Sequence, residues 1–202
     1  MSTKLFGTDG VRGRAGAPPL DQRTVRRLGA ALVRALPPSP SLPRLLVGRD
    51  TRESGEEIER DLALGARGAG ASVLSAGVIP TPAIAFLTRD QGFAAGLVIS
   101  ASHNPFEDNG IKVFSGAGEK FTEALEAQVE AIVADTSWQE PAGAAEPVTC
   151  QLASWMIVST SRSSDSVNFS PRPENTLMPL SSKGLCDAEI TSPASKPISR
   201  VT

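Results

Sequence analysis

Between residues 21 and 36 the apolar side chains recur at helical spacing. Val25, Leu28, Leu32 and Leu36 form one stripe, and Arg23, Arg26, Arg27 and Arg34 face elsewhere as a solvated face. Asp21 is placed to cap this helix, and Pro37-Pro38-Ser39-Pro40 ends it. Leu45-Leu46-Val47 then reads as a short buried strand running into Gly48-Arg49-Asp50-Thr51-Arg52. A second helix follows from about Ser54 to Arg67, with Ile58, Leu62 and Ala66 inward, and Val73-Leu74 is another short strand. Pro82 suits the first turn of a third helix carrying Ile84, Phe86 and Leu87. Leu97-Val98-Ile99 is apolar and β-branched, a buried strand, and Ile111-Lys112-Val113-Phe114 alternates like a further one. Thr122 caps a last helix whose stripe is Leu125, Val129, Ile132 and Val133. At the amino end, Leu5-Phe6 begins a strand that gives way to a glycine-rich loop through Gly7, Gly10, Gly13 and Gly16, with Arg12 and Arg14 in the loop.

Strand and helix alternate throughout this region. The pattern predicts an α/β fold, a three-layer α/β/α sandwich around a mainly parallel mixed sheet. Asp108-Asn109-Gly110 is a tight-turn signal and adds an antiparallel element. Gly65, Gly68 and Gly70 fall at the end of a helix rather than after a strand. They read as cap and turn glycines, not as a dinucleotide-binding loop.

The chemistry concentrates after Ile99. Ser100, Ser102, His103 and Asn104 follow the strand, and Pro105 blocks its continuation. The carboxyl end of a strand is where open α/β sheets receive ligands. A hydroxyl near a fixed ammonium, here Ser102 and Lys112, suits phosphoryl transfer. The same residues also fit a polar turn closing a strand. A serine hydrolase fits poorly: there is no Gly-x-Ser-x-Gly elbow, and His103, the single histidine, adjoins the serine it would have to deprotonate.

Residues Gly96 to Phe114 resemble the active-serine loop of the α-D-phosphohexomutases, and the bacterial phosphoglucosamine mutase branch is the closer match. Phe6-Gly7-Thr8-Asp9-Gly10-Val11-Arg12-Gly13, Gly48-Arg49-Asp50-Thr51-Arg52 and Gly77-Val78-Ile79-Pro80-Thr81-Pro82 resemble three more loops of that family in order and spacing. The resemblance implies that Ser102 is the nucleophile and carries a phosphoryl group. Arg12, His103, Asn104 and Lys112 would surround it, with Lys112 and His103 serving in proton transfer and Arg49 and Arg52 as secondary phosphate or supporting residues. It implies a phosphosugar substrate, interconversion of glucosamine 6-phosphate and glucosamine 1-phosphate, and a glucose or glucosamine 1,6-bisphosphate primer. Mg²⁺ would be bound through the phosphoryl oxygen on Ser102 and three aspartates of an Asp-Gly-Asp-Gly-Asp-Arg loop. That loop and the family's later sugar-binding and phosphate-clamp motifs are absent from this sequence. The expectation is an active-serine domain over residues 1–140 that is inactive alone. The alternatives are a non-catalytic partner-binding fragment and a preference for mannose or glucose phosphates.

The rest of the chain bounds this reading. In residues 151–202 about one position in four is serine, against about one in fifteen before. A non-homologous, disordered Ser/Thr/Pro-rich tail is therefore expected over 141–202, produced by a change of reading frame near residues 138–151, with a linker or regulatory tail as the alternative. The formal charge of −2 gives no push towards nucleic acid. With no apolar run of about 18 residues and no apolar leader after Met1, a cytoplasmic chain free of the membrane is expected. Cys150 and Cys186 read as two free thiols.

Overall fold

The computed structural model describes residues 4–139. The expected tail over 141–202, with both cysteines, lies outside the described residues. Five strands, β1 (Val11–Arg14), β2 (Arg44–Arg49), β3 (Ser72–Val78), β4 (Ala95–Ile99) and β5 (Asp108–Ser115), form one mixed sheet in the order β1-β5-β4-β2-β3. β2 runs parallel to both β3 and β4, whereas β5 is antiparallel to β4 and to β1. Four helices complete it: α1 (Gln22–Ala35), α2 (Gly55–Gly68), α3 (Thr81–Asp90) and α4 (Glu123–Ala134).

Alternation along each strand divides the apolar side chains between two faces. Leu45, Val47, Leu97, Ile99, Ile111 and Val113 join one core with Val25, Leu28 and Leu32 of α1, Leu62 of α2 and Val129 of α4. Leu46 and Val98 point the other way and pack with Ile84 of α3, Ile79 and Phe93. This is the three-layer arrangement the pattern predicts. Each fully buried Leu, Ile or Val contributes about 1.5–3 kcal/mol. Asp21 caps α1 by accepting the Thr24 amide on Oδ1 at 3.1 Å, and Thr122 Oγ1 accepts from the Leu125 amide at 3.4 Å.

Four local expectations give way. Leu5 and Phe6 form no strand: their amides donate to Glu130 Oε1 on α4, at 2.8 and 2.7 Å. The strand lies further on, inside the glycine-rich stretch, because Val11 buries completely while pairing with Ile111. Asp108-Asn109-Gly110 is no turn but the start of β5. The chain reverses earlier, where the Asp108 amide reaches Pro105 O at 3.1 Å. Asn109 is fully buried, and its amide side chain is satisfied there, donating to Ser54 Oγ at 2.9 Å and accepting from the Gly110 amide at 2.9 Å. Ser54 thus serves β5 and makes no side-chain cap for α2.

Gly65 is a contact glycine within α2. A Cβ there would lie 1.9 Å from Arg26 O on α1, and one on Gly29 would lie 2.2 Å from Leu62 O, so the two helix backbones touch. The arginine face of α1 is not simply solvated. Arg26 pairs with the buried Asp61 at 2.9 Å. Arg27 Nε and Nη1 donate to Val133 O and Trp138 O at 3.0 Å each, and Nη2 donates to Asp135 O. The guanidinium carbons of Arg27 and Arg34 lie 4.2 and 4.1 Å from the Trp138 ring centre.

Candidate active site

The loop joining β4 to β5 begins where the Ser100 amide donates to Gly110 O at 2.9 Å. Ser102 follows with φ of 54°, the left-handed region, and is the only non-glycine residue there among the described residues. Its amide donates to Ser100 Oγ at 3.2 Å. Ser102 lines an open cavity of about 870 Å³ together with Asn104, Phe106, Asp50, Arg52 and Arg14. Asn104 is held by its amide nitrogen, which donates to Asp108 Oδ2 at 3.2 Å. His103 is exposed and makes no hydrogen bond among the described residues.

Arg52 reaches this loop from the end of β2. Its guanidinium donates to the carbonyl oxygens of Ser102, Asn104, Pro105 and Asp108. Arg49, paired with it in the sequence motif, points elsewhere: Nε donates to Glu59 Oε2 at 3.1 Å and Nη2 to Glu56 Oε1 at 2.6 Å, both on α2. Arg49 is therefore committed to fastening α2 to the strand end.

Arg12 and Lys112 come together through a residue that sequence reasoning gave no role. Arg12 stands opposite Gly110 in the β1–β5 ladder, and a Cβ on Gly110 would lie 3.1 Å from Arg12 Cγ and 2.9 Å from Ser100 O. The bare backbone at this glycine brings the arginine stem next to the serine loop. Arg12 Nη2 and Lys112 Nζ each lie 2.8 Å from Asp9 Oδ2, and Lys120 Nζ lies 3.4 Å from Asp9 Oδ1. Burial acts to raise the Asp9 pKa, but the hydrogen bond and charge of Lys112, joined by Lys120, outweigh it and hold the carboxyl below its ordinary 3.8. Arg12 Nε is buried without a hydrogen-bond partner among the described residues. The geometry therefore separates two groups. Ser102, Asn104 and Arg52 share the cavity, whereas Arg12 and Lys112 are gathered at Asp9 and do not line it.

Two residues here had weak sequence signals. Asp9 lies within a quoted motif, yet nothing local shows that three cations fold onto it. Arg14 lines the cavity and is exposed, and its side chain has no ion pair or hydrogen bond among the described residues.

A serine held at the carboxyl edge of a mixed sheet, beside an open cavity and a reserve of cations, defines an α/β/α domain of the kind that receives an anionic ligand at its strand ends. The chain belongs to the family described as phosphoglucomutase/phosphomannomutase, alpha/beta/alpha domain I, whose model matches residues 3–140. It is 53% identical over 128 residues to a phosphoglucosamine mutase of Koribacter versatilis, covering 63% of this chain and 28% of that one. It is 49% identical over 151 residues to a phosphoglucosamine mutase of Azoarcus, covering 72% and 32%. A phosphoglucomutase/phosphomannomutase family protein of Burkholderia thailandensis shares the fold with a TM-score of 0.60 and 27% identity, over 78% of this chain and 35% of that one. The chain thus spans about three-tenths of the length of the curated relatives it matches. No helix among the described residues is long and apolar enough to cross a membrane.

Proposed function

We propose that residues 1–140 are the phosphoryl-accepting domain of a cytoplasmic phosphohexomutase that interconverts glucosamine 6-phosphate and glucosamine 1-phosphate through a bisphosphate intermediate. The observation that carries this is Ser102, at the end of β4 on the open cavity, in a stretch that matches the family. The preference for glucosamine over mannose or glucose phosphates rests on the phosphoglucosamine mutases among its relatives.

In the priming step, a sugar 1,6-bisphosphate gives one phosphoryl group to Ser102. The Oγ–P bond forms as the sugar O–P bond breaks, and the serine proton ends on the released sugar oxygen. Asn104 and the unpartnered Arg14 side chain are set to orient the incoming phosphate in the cavity. Arg12 and Lys112 supply positive charge behind the loop. Mg²⁺ would neutralise phosphoryl charge when bound. Among the described residues, however, no three carboxylates, imidazoles or thiols gather into a metal-binding group, so these residues do not by themselves make up a site for it.

Incubating the chain with glucose 1,6-bisphosphate should add one phosphoryl group, seen by intact mass and mapped to Ser102, and Ser102→Ala should take up none. Uptake that persists in Ser102→Ala would overturn the assignment. Turnover of glucosamine 6-phosphate by the chain alone should be negligible, because the family's sugar-binding and phosphate-clamp motifs are missing from its sequence.

A further inference from the structure

The loop that carries Ser102 has more carbonyls than its own amides can serve. Within it, the Asn104 amide reaches Ala101 O and the Asp108 amide reaches Pro105 O, both at 3.1 Å, and the Ser102 amide turns to a side chain. One guanidinium reaches four of the loop's carbonyl oxygens, that of Pro105 among them. Arg52 Nη2 donates to Ser102 O and Asn104 O at 2.9 Å each, and Nη1 donates to Pro105 O at 2.6 Å and Asp108 O at 3.0 Å. Its Nε points back to Asp50 Oδ2 at 3.3 Å, and the same carboxylate accepts the Arg52 backbone amide on Oδ1 at 3.0 Å. Every N–H of the guanidinium is therefore committed. The side chain is 13% exposed. Such an arginine has no donor to spare for a substrate phosphate.

We propose that Arg52 is the positioning residue of the nucleophile. By drawing the carbonyls of residues 102, 104, 105 and 108 around one planar cation, it holds Ser102 in the left-handed conformation in which it lines the cavity. The inference rests on the reading of Ser102 as phosphoryl acceptor. Only a flat fork with five donors fits this ring of oxygens. A lysine would keep the charge but offers three donors from a single point. Asp50 completes the device by fixing the fork from behind, which ties the end of β2 to the loop after β4.

The test uses the intact chain with Arg52→Ala, Arg52→Lys and Ser102→Ala, and Gly65→Ala as a variant that disturbs the helices without touching the loop. Hydrogen exchange should be faster by about tenfold or more in residues 100–108 of both Arg52 variants, with β2 and β4 unchanged. Phosphoryl uptake by Ser102 from glucose 1,6-bisphosphate should fall about 100-fold in Arg52→Ala, as expected for a displaced nucleophile. Added guanidinium ion at millimolar concentration should restore part of it, while Gly65→Ala keeps the rate of the unaltered chain below its melting temperature. Loop exchange unchanged in both Arg52 variants, or uptake equal to that of the unaltered chain, would overturn the proposal. If the unaltered chain takes up no phosphoryl group, the reading of Ser102 fails separately and the exchange result alone judges the clamp. If Arg52→Ala does not fold, Arg52→Lys decides.

Discussion

Asp9 shows how much one side chain can organise without chemistry of its own. Three cations approach it within 3.4 Å, two of them residues that the family resemblance puts at the phosphoserine. Without it, Arg12, Lys112 and Lys120 would face one another with no anion between them. Asp9 is 38% exposed, so solvent screening limits each pair to the low range of about 0.2–1 kcal/mol. Asp9→Asn should lower the melting temperature by about 2–4 °C at pH 7. The pH dependence follows from the lowered pKa. A carboxyl whose folded pKa is depressed adds stability above its unfolded value, and that stability is lost as the pH falls through the folded pKa. The gap between Asp9→Asn and the unaltered chain should therefore close as the pH drops below 3.8, and melting curves across that window check it. A gap that widened on acidification would mean that Asp9 is held by something other than these cations. Such roles are hard to read from sequence. A carboxylate that draws Lys112 and Lys120 from a distant stretch to join its neighbour Arg12 leaves no spacing signature for those two, and neither does Arg52 for the backbone carbonyls it holds. Ser102 and Lys112 were legible because their residue types and order carry the chemistry themselves.

At the scale of elements, the helices and central strands were legible because one-sided or two-sided burial writes a period into the sequence. β1 was not. Two of the four residues in Val11–Arg14 are arginines and one is glycine, and the strand exists because β5 offers it an edge. The Asp-Asn-Gly signal misled for a related reason: an asparagine whose amide finds partners inside the protein has no need to turn the chain. The contact between α1 and α2 gives a prediction whose sign separates two physical effects. Helix propensity alone makes Gly65→Ala stabilising by about 1 kcal/mol. The clash of its Cβ with Arg26 O, a backbone atom that cannot swing aside, makes it destabilising by about 1–3 kcal/mol or more. The second effect should win, and a lower midpoint in urea with the same slope would show it. A raised midpoint would mean that the helices separate at little cost.

Across the whole molecule, the described chain closes on itself. α1 and α4 pack on the same sheet face, and the segment after α4 returns to α1 through Trp138, whose Nε1 donates to Ile132 O at 2.8 Å. Replacing Trp138 by alanine removes two arginine–ring contacts and exposes the end of α4. This should cost about 1–3 kcal/mol. A chain ending at Asp135 should melt about 4–8 °C lower than one ending at Gln139. Equal melting of the two shortened chains would remove Trp138 from the account. The strand order has a further bearing, on synthesis. β1 is made early, but its partner Ile111 lies a hundred positions downstream, and the Leu5 and Phe6 amides wait still longer for Glu130. At about 5–20 residues per second, the segment holding Asp9 and Arg12 spends roughly 5–20 s outside any sheet while the ribosome completes the rest. During that interval β2, β3, α1 and α2 can already assemble. The segment holding Asp9 and Arg12 is thus made well before the strand and helix that house it, and a protease or chaperone acting on the growing chain would meet it in that interval.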